Sequence, residues 1–126
     1  MKVAAGIFRQ GNSVLLMRRA QTQAYAGEWE YPGGKFEPGE DGRTCLHREL
    51  SEELGIDANI GNLAAVAVYT TDSGKEIELH AYEVIDYIGD ICMKVHDAMV
   101  WVAMDELTHH PQLPADLIIS KTLVGH

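Results

Sequence analysis

The sequence predicts an α/β domain in which a mixed sheet packs between helices, and three observations lead there. Runs of strand-like composition recur along most of the chain. Residues 43–54 and 114–123 carry apolar side chains at the spacing of a helix that buries one face. The strands and the two helices do not alternate, which excludes a regular βαβ repeat. With 126 residues and no internal repeat, low-complexity tract or linker, the chain reads as a single domain over residues 1–126.

Val3 to Phe8 reads as a strand, and Arg9-Gln10-Gly11-Asn12 as a hairpin-type turn into a partner strand, Ser13 to Arg19, with the core Val14-Leu15-Leu16-Met17. A polar connection, Gln21 to Glu28, leads to the short aromatic segment Trp29-Glu30-Tyr31, which Pro32-Gly33-Gly34 stops. Gly34 to Gly42 is a loop rich in Gly, Pro and charge. Arg43 to Leu54 is a helix with Leu46, Leu50 and Leu54 as its buried stripe, and Gly55 takes the left-handed position past its end. Two strands follow, about Asn62 to Thr70 and Glu76 to Tyr87, joined at Asp72-Ser73-Gly74. Another runs from Met99 to Ala103. The last helix starts near Pro114 and is expected to bury Ala115, Ile118, Ile119, Thr122 and Leu123.

The composition, 46% hydrophobic and 23% charged, supports a core without disulfide or metal staples. No apolar run approaches the roughly 20 residues needed to span a bilayer. The N-terminus passes straight into a strand, without the apolar region of a signal peptide. A cytoplasmic location without membrane contact is therefore expected. The net charge of −9 disfavours binding of long nucleic acid, which needs many Lys and Arg on one face. A small anionic substrate remains open, because a divalent cation inverts the local field. Cys45 and Cys92 stand apart and are read as free thiols.

A helix turns about 100° per residue, so Glu49, Glu52 and Glu53 share one face beside the leucine stripe. Like charges at this spacing repel, by a few tenths of a kcal/mol per pair. On geometry alone the cluster is either a solvated acidic face or a site for a cation. Arg48 stands next to it and can hold a carboxylate by a bidentate contact. A Gly-Gly turn and a Gly-Pro loop precede it and can offer backbone carbonyls.

These residues also fall within a longer pattern of fixed spacing. Gly34, five residues, Glu40, seven residues, Arg48-Glu49-Leu50, one residue, Glu52-Glu53, one residue, Gly55-Ile56 resembles the Nudix box at every specified position. The resemblance implies the Nudix fold, an α/β/α sandwich with a mixed central sheet. It also implies hydrolysis of a nucleoside diphosphate linked to another group. By that resemblance Glu49, Glu52 and Glu53 are ligands of Mg²⁺, with Mn²⁺ as a substitute, and the Gly33 carbonyl is a fourth. Arg48 would orient Glu49, and Glu40 would brace the loop. Hard oxygen donors suit Mg²⁺ bound together with phosphates. The loop is not a P-loop, since Glu40-Asp41 follows Gly39 where Lys-Ser/Thr is required.

Met17-Arg18-Arg19-Ala20, Trp29-Glu30-Tyr31-Pro32-Gly33-Gly34-Lys35 and Leu113-Pro114-Ala115-Asp116 extend the likeness to the small MutT-type nucleoside triphosphate pyrophosphohydrolases, in their order and spacing. The implied reaction converts an NTP or dNTP to monophosphate and pyrophosphate, clearing damaged or surplus nucleotides. Arg19 and Lys35 would contact phosphates or sugar, Tyr31 would line the base pocket, and Asp116 would bond the base edge. The type that reads oxidised guanine has Asn there. Asp resembles the branch acting on CTP and modified cytidines, so a pyrimidine or oxidised nucleotide is expected. Such relatives also carry a Glu six residues before the strand Trp. Counting back from Trp101 gives Val95, with His96 and Asp97 beside it, so either Asp97 or its neighbour His96 supplies the extra acid or base, or the helix carboxylates do the work alone.

Other readings stay open at this stage. Arg18 reads as a solvated charge, Trp29 and Trp101 as packing aromatics, and His109-His110 as a surface turn. His80 and Tyr82 share a strand face and either pack or line the pocket. The rival functions are hydrolysis of ADP-ribose or a dinucleoside polyphosphate, and a non-catalytic binding module of the same fold.

Overall fold

Successive residues of a strand point to opposite faces of the sheet. Ala4 and Ala5 are both buried, so the first strand must be covered on both sides. The structure, a computed structural model, describes residues 1–125. It shows two sheets. In the first, β1 (Lys2–Ile7) lies between β5 (Gly33–Lys35) and β7 (Glu76–Ile88), and β6 (Asp57–Thr70) forms the far edge. β1 is antiparallel to β5 and parallel to β7, and β6 is antiparallel to β7, so the sheet is mixed. In the second, β3 (Ser13–Arg19) pairs antiparallel with β2 (Arg9–Gln10) at its start, with β4 (Trp29–Glu30) at its end, and with β8 (His96–Ala103) along its length.

Each face has its own core and helix. Ala4, Phe8, Leu15 and Met17 pack with Leu46, Leu50 and Leu54 of α1 (Gly42–Leu54). Ala5, Ile7, Val14 and Leu16 pack with Ala115 and Ile119 of α2 (Pro114–Val124). This is the expected α/β/α sandwich. Asp41 caps α1 by accepting the Thr44 N–H at 2.8 Å, and Gly55 at φ 69° closes it by donating to the Ser51 carbonyl. The helix starts one residue before the expected Arg43. Gly42 lies on the ring of Tyr82, where a Cβ would collide with the phenol.

Several expectations are corrected. Ser13 to Arg19 is not the partner of the first strand. Both edges of β1 are taken by β5 and β7, so the chain crosses to the second sheet after Ile7, and a bond from the Leu15 N–H to the Phe8 carbonyl (3.1 Å) marks the crossing. The aromatic segment does stop, β4 ending at Glu30, but Gly33 and Gly34 then form a strand of their own where Gly34 was expected to open a loop. A Cβ on Gly33 would run into the Ala4 carbonyl, and its absence lets β5 lie against β1. β6 begins at Asp57 rather than Asn62. Register shifts between Asn59 and Ala65 break the alternation that would have revealed its first half.

The buried face of α2 is Ala115, Asp116, Ile119 and Ser120, while Ile118 and Thr122 are exposed. Two polar residues take the core face because both bond Tyr31. His80 bonds Glu78 at 2.7 Å, and Tyr82 packs under Gly42; both are packing residues. Cys45 and Cys92 are free. Among the described residues no helix is long and apolar enough to cross a membrane.

Candidate active site

Arg48 organises the acidic face of α1. Its Nε and Nη2 fork onto the two oxygens of Glu40 (2.7 and 2.9 Å), and its Nη1 donates to Glu49 Oε1 (2.9 Å) and Glu52 Oε2 (3.1 Å). Nη2 also reaches the Lys35 carbonyl, 3.1 Å away. The guanidinium bond and the Glu37 N–H hold the Glu40 carboxyl down at about 2, so Glu40 stays anionic and ties the loop to the helix.

Glu49 lies against the loop. A Cβ on Gly34 would run into its carboxylate. Burial raises the Glu49 carboxyl above its ordinary value, and Arg48 opposes the rise. Glu53 is more deeply set. Its Oε1 is buried without a hydrogen-bond partner, and burial, followed by the charges of Glu49 and Glu30, pushes its carboxyl up to about 8. An orphaned carboxylate oxygen is costly to keep dry, and a hard cation is the partner that relieves it.

Among the described residues no three His, Cys, Asp or Glu side chains converge on a common point. Glu49 and Glu52 face Arg48, while Glu53 stands apart from that bond network. The donor set nevertheless suits a divalent metal. It consists of hard carboxylate oxygens, one of them unpartnered, beside a glycine backbone with no side chain in the way.

Beyond Gly33 and Gly34 opens a cavity of about 650 Å³. Arg19, Glu30, Tyr31, Lys35 and Asp116 all border it. Its walls are mostly apolar, with these polar groups converging, as in small-molecule sites. The 20–28 connection borders it through Ala24 and Tyr25, and the β6–β7 turn through Asp72 and Ser73. A second hollow, of about 570 Å³ beside Phe8, Tyr87 and Trp101, takes in none of the site residues expected from sequence.

Asp116 sits at the first turn of α2, 7% exposed, and its Oδ1 accepts the Tyr31 backbone N–H at 3.0 Å. Burial, then the charge of Glu30, pushes its carboxyl up to about 8. Tyr31 borders the cavity but is only 2% exposed. Its hydroxyl turns inward to Ser120 Oγ (2.6 Å), and Ser120 donates onward to Gln112 Oε1 (2.5 Å). Arg19 commits Nη1 to Glu30 Oε2 (2.9 Å) and Nε to the Ala24 carbonyl (2.5 Å). Lys35 is exposed at the cavity rim.

Asp97 and His96 do not border the cavity. Asp97 pairs with Arg18 at 2.7 Å on the exposed side of β8, and Arg18 lies over the Trp29 ring. The alternation of β8 turns its neighbour His96 inward, where Nε2 meets Glu30 Oε2 at 2.8 Å. Glu30 is the residue that sequence reasoning passed over. Arg19 from β3 and His96 from β8 both hold it, and its charge bears on both Glu53 and Asp116. No local pattern in Trp29-Glu30-Tyr31 announces it.

The chain has counterparts among known proteins in sequence and in fold. The NUDIX domain family profile matches residues 1–122. The CTP pyrophosphohydrolase of Escherichia coli (strain K12) is 40% identical over 125 residues, covering 99% of this chain and 92% of that protein. The 8-oxo-dGTP diphosphatase of Haemophilus influenzae is 33% identical over 126 residues, covering 99% and 92%. The solution structure of the E. coli ORF135 protein superimposes with a TM-score of 0.85 at 38% identity, covering 97% of this chain and 86% of that one.

Proposed function

The chain belongs to the NUDIX family of hydrolases, and from that premise we propose that it is a Mg²⁺-dependent nucleoside triphosphate pyrophosphohydrolase acting as one domain. The reaction consumes water and an NTP or dNTP and yields the monophosphate and pyrophosphate. The observation that carries the reading is the unpartnered Glu53 oxygen one helical turn from Glu49, whose carboxylate lies against Gly34, a residue that in turn borders a cavity of about 650 Å³.

Glu49, Glu52 and Glu53, with the Gly33 carbonyl, would hold the metal. When bound it neutralises the polyphosphate and lowers the pKa of the attacking water. The chain supplies the rest. Arg48 fixes Glu49 and, through Glu40, the loop. A carboxylate of α1 accepts the proton of the water. Lys35, and the remaining Nη2 of Arg19, meet phosphate oxygens.

Asp116 reads the base edge, and its charge selects what it reads. A neutral carboxyl donates one bond and accepts another, matching N3 and the N4 amine of cytosine. A carboxylate accepts only, and suits the N1–H and N2 amine of a guanine. With its carboxyl raised to about 8, the neutral form dominates near pH 7. That edge excludes neither candidate, because the O6 acceptor and N7–H donor of 8-oxoguanine fit a neutral carboxyl as well as cytosine does. The preference for CTP or a modified cytidine triphosphate rests on the 40% identity to the CTP pyrophosphohydrolase.

The test is pyrophosphate release from CTP, 5-methyl-dCTP, 8-oxo-dGTP, dATP and ADP-ribose side by side, with Mg²⁺ and with chelator. Cytidine triphosphates are expected to give the highest kcat/KM, and chelator to abolish turnover. Highest kcat/KM for ADP-ribose would overturn the reading. Glu53→Gln is expected to keep the fold and lower kcat by orders of magnitude, and unchanged turnover would remove Glu53 from the metal site.

A further inference from the structure

Tyr25 combines three features at one position. It is the most exposed aromatic among the described residues, at 67%. It borders the cavity that Asp116 also borders. Its backbone is left-handed, at φ 58°, the one non-glycine residue among those described with positive φ. A bulky side chain is disfavoured there, and Gly or Asn would take the turn with less strain. Strain of this kind persists only where the surroundings enforce it.

The enforcement is visible. The Arg19 side chain donates to the Ala24 carbonyl, and the Arg19 carbonyl accepts the Gly27 N–H at 2.9 Å. The Glu28 N–H closes the turn onto the Tyr25 carbonyl at 3.1 Å. Arg19 is itself held by Glu30, and Glu30 by the buried His96. The loop that presents Tyr25 is thus tied through three side chains to the second sheet. A phenol ring displayed in water at a cavity mouth gains by covering a flat, weakly hydrated ligand face, and every nucleobase offers one.

We infer that Tyr25 is a specificity residue of this site, its ring stacking on the nucleobase whose edge Asp116 reads. The inference rests on the nucleotide-hydrolase reading above. It assigns the base face to the 20–28 loop, whereas Asp116 takes the base edge.

The experiment measures binding without turnover, by calorimetry in Mg²⁺, of α,β-methylene-CTP and of inorganic tripolyphosphate, which has no base. Tyr25→Ser is expected to weaken the nucleotide about tenfold and to leave tripolyphosphate unchanged. Tyr25→Phe is expected to match the wild type, because the ring rather than the hydroxyl makes the contact. An unchanged Tm in both variants separates this from loss of fold. Equal weakening of both ligands by Tyr25→Ser, no weakening of either, or loss of affinity in Tyr25→Phe overturns the inference. If the wild type binds the analogue but releases no pyrophosphate from CTP, the hydrolase reading falls while the comparison still decides Tyr25. If it binds no nucleotide, both fall.

Discussion

The Tyr31 backbone N–H donates to Asp116 Oδ1 across 3.0 Å, joining residues 85 positions apart in sequence. One carboxyl oxygen of Asp116 is therefore engaged by the chain, and the group is fixed in orientation at the cavity wall. Asp116→Asn can keep the Tyr31 bond through its carbonyl while offering a permanently neutral edge. For wild type, affinity for a cytidine triphosphate is expected to fall as pH rises through about 8, because the neutral carboxyl is lost. Affinity for 8-oxo-dGTP is expected to change less over the same range, because its edges fit both the neutral and the anionic form. Asp116→Asn should abolish both dependences, a result read from Kd for non-cleavable analogues against pH. Asp116→Ala should weaken both ligands and cost about 1–3 kcal/mol of stability, since it leaves the buried Tyr31 N–H unpaired.

Stability should also follow pH. Folding raises Glu53 from 4.5 and Asp116 from 3.8, each to about 8. Between these limits the folded chain holds protons that the unfolded chain has released. The contribution is fully present below about pH 4 and is lost as pH rises through about 8. The Tm of metal-free protein is thus expected to drop from about pH 5 to about pH 9. Glu53→Gln, isosteric and uncharged, should flatten part of that slope and raise Tm at the alkaline end. Mg²⁺ should recover stability in wild type at that end by binding the folded state alone, and should do so less in Glu53→Gln.

Arg48 makes a third case. It forks onto Glu40, also reaches Glu49 and Glu52, and pairs with Glu37 at 3.3 Å, so one planar group holds four carboxylates from two segments. Arg48→Ala frees the loop from the helix and leaves Glu49 without its oriented donor. A kcat loss of at least about tenfold is expected, with a lowered Tm. Arg48→Lys should not rescue it. A single ammonium cannot fork onto Glu40 and reach Glu49 at once. Recovery of wild-type kcat in Arg48→Lys would show that only the charge mattered.

These cases show what was legible in the sequence. The acidic helix was, because Leu46, Leu50, Leu54 and the three glutamates obey a local period and Gly55 marks its end, while the cap at Asp41 appears only in the structure. The site at Glu30 was not. It arises where β3, β4, β8 and α2 meet, and no local period announces a carboxylate shared by Arg19 and His96. The buried face of α2 was misread for a related reason. Apolar spacing pointed to Ile118 and Thr122, but Asp116 and Ser120 are buried because a distant Tyr31 satisfies them. Pairing in the first sheet escaped too, since β1 takes its neighbours from residues 33–35 and 76–88 rather than from the next strand.

Gly33 and Gly34 offer the sharpest separation of fold from chemistry, because the same methyl group meets different obstacles at adjacent positions. On Gly33 it would strike the Ala4 carbonyl, which is backbone within the β1–β5 pairing. The sheet must move apart, so Gly33→Ala is expected to lower Tm markedly, by about 4 °C for each kcal/mol lost. On Gly34 it would strike the carboxylate of Glu49, the mobile end of a side chain. The sheet can stay, and Glu49 must turn away from the loop and out of the arrangement Arg48 enforces. Gly34→Ala is therefore expected to keep most of its Tm and lose most of its kcat. Titration with Mg²⁺, followed by the rise in Tm, should show that metal binding weakens in step with kcat. Full activity in Gly34→Ala would mean that the position of Glu49 against the loop is irrelevant to catalysis, and with it the cradle on which the metal assignment leans.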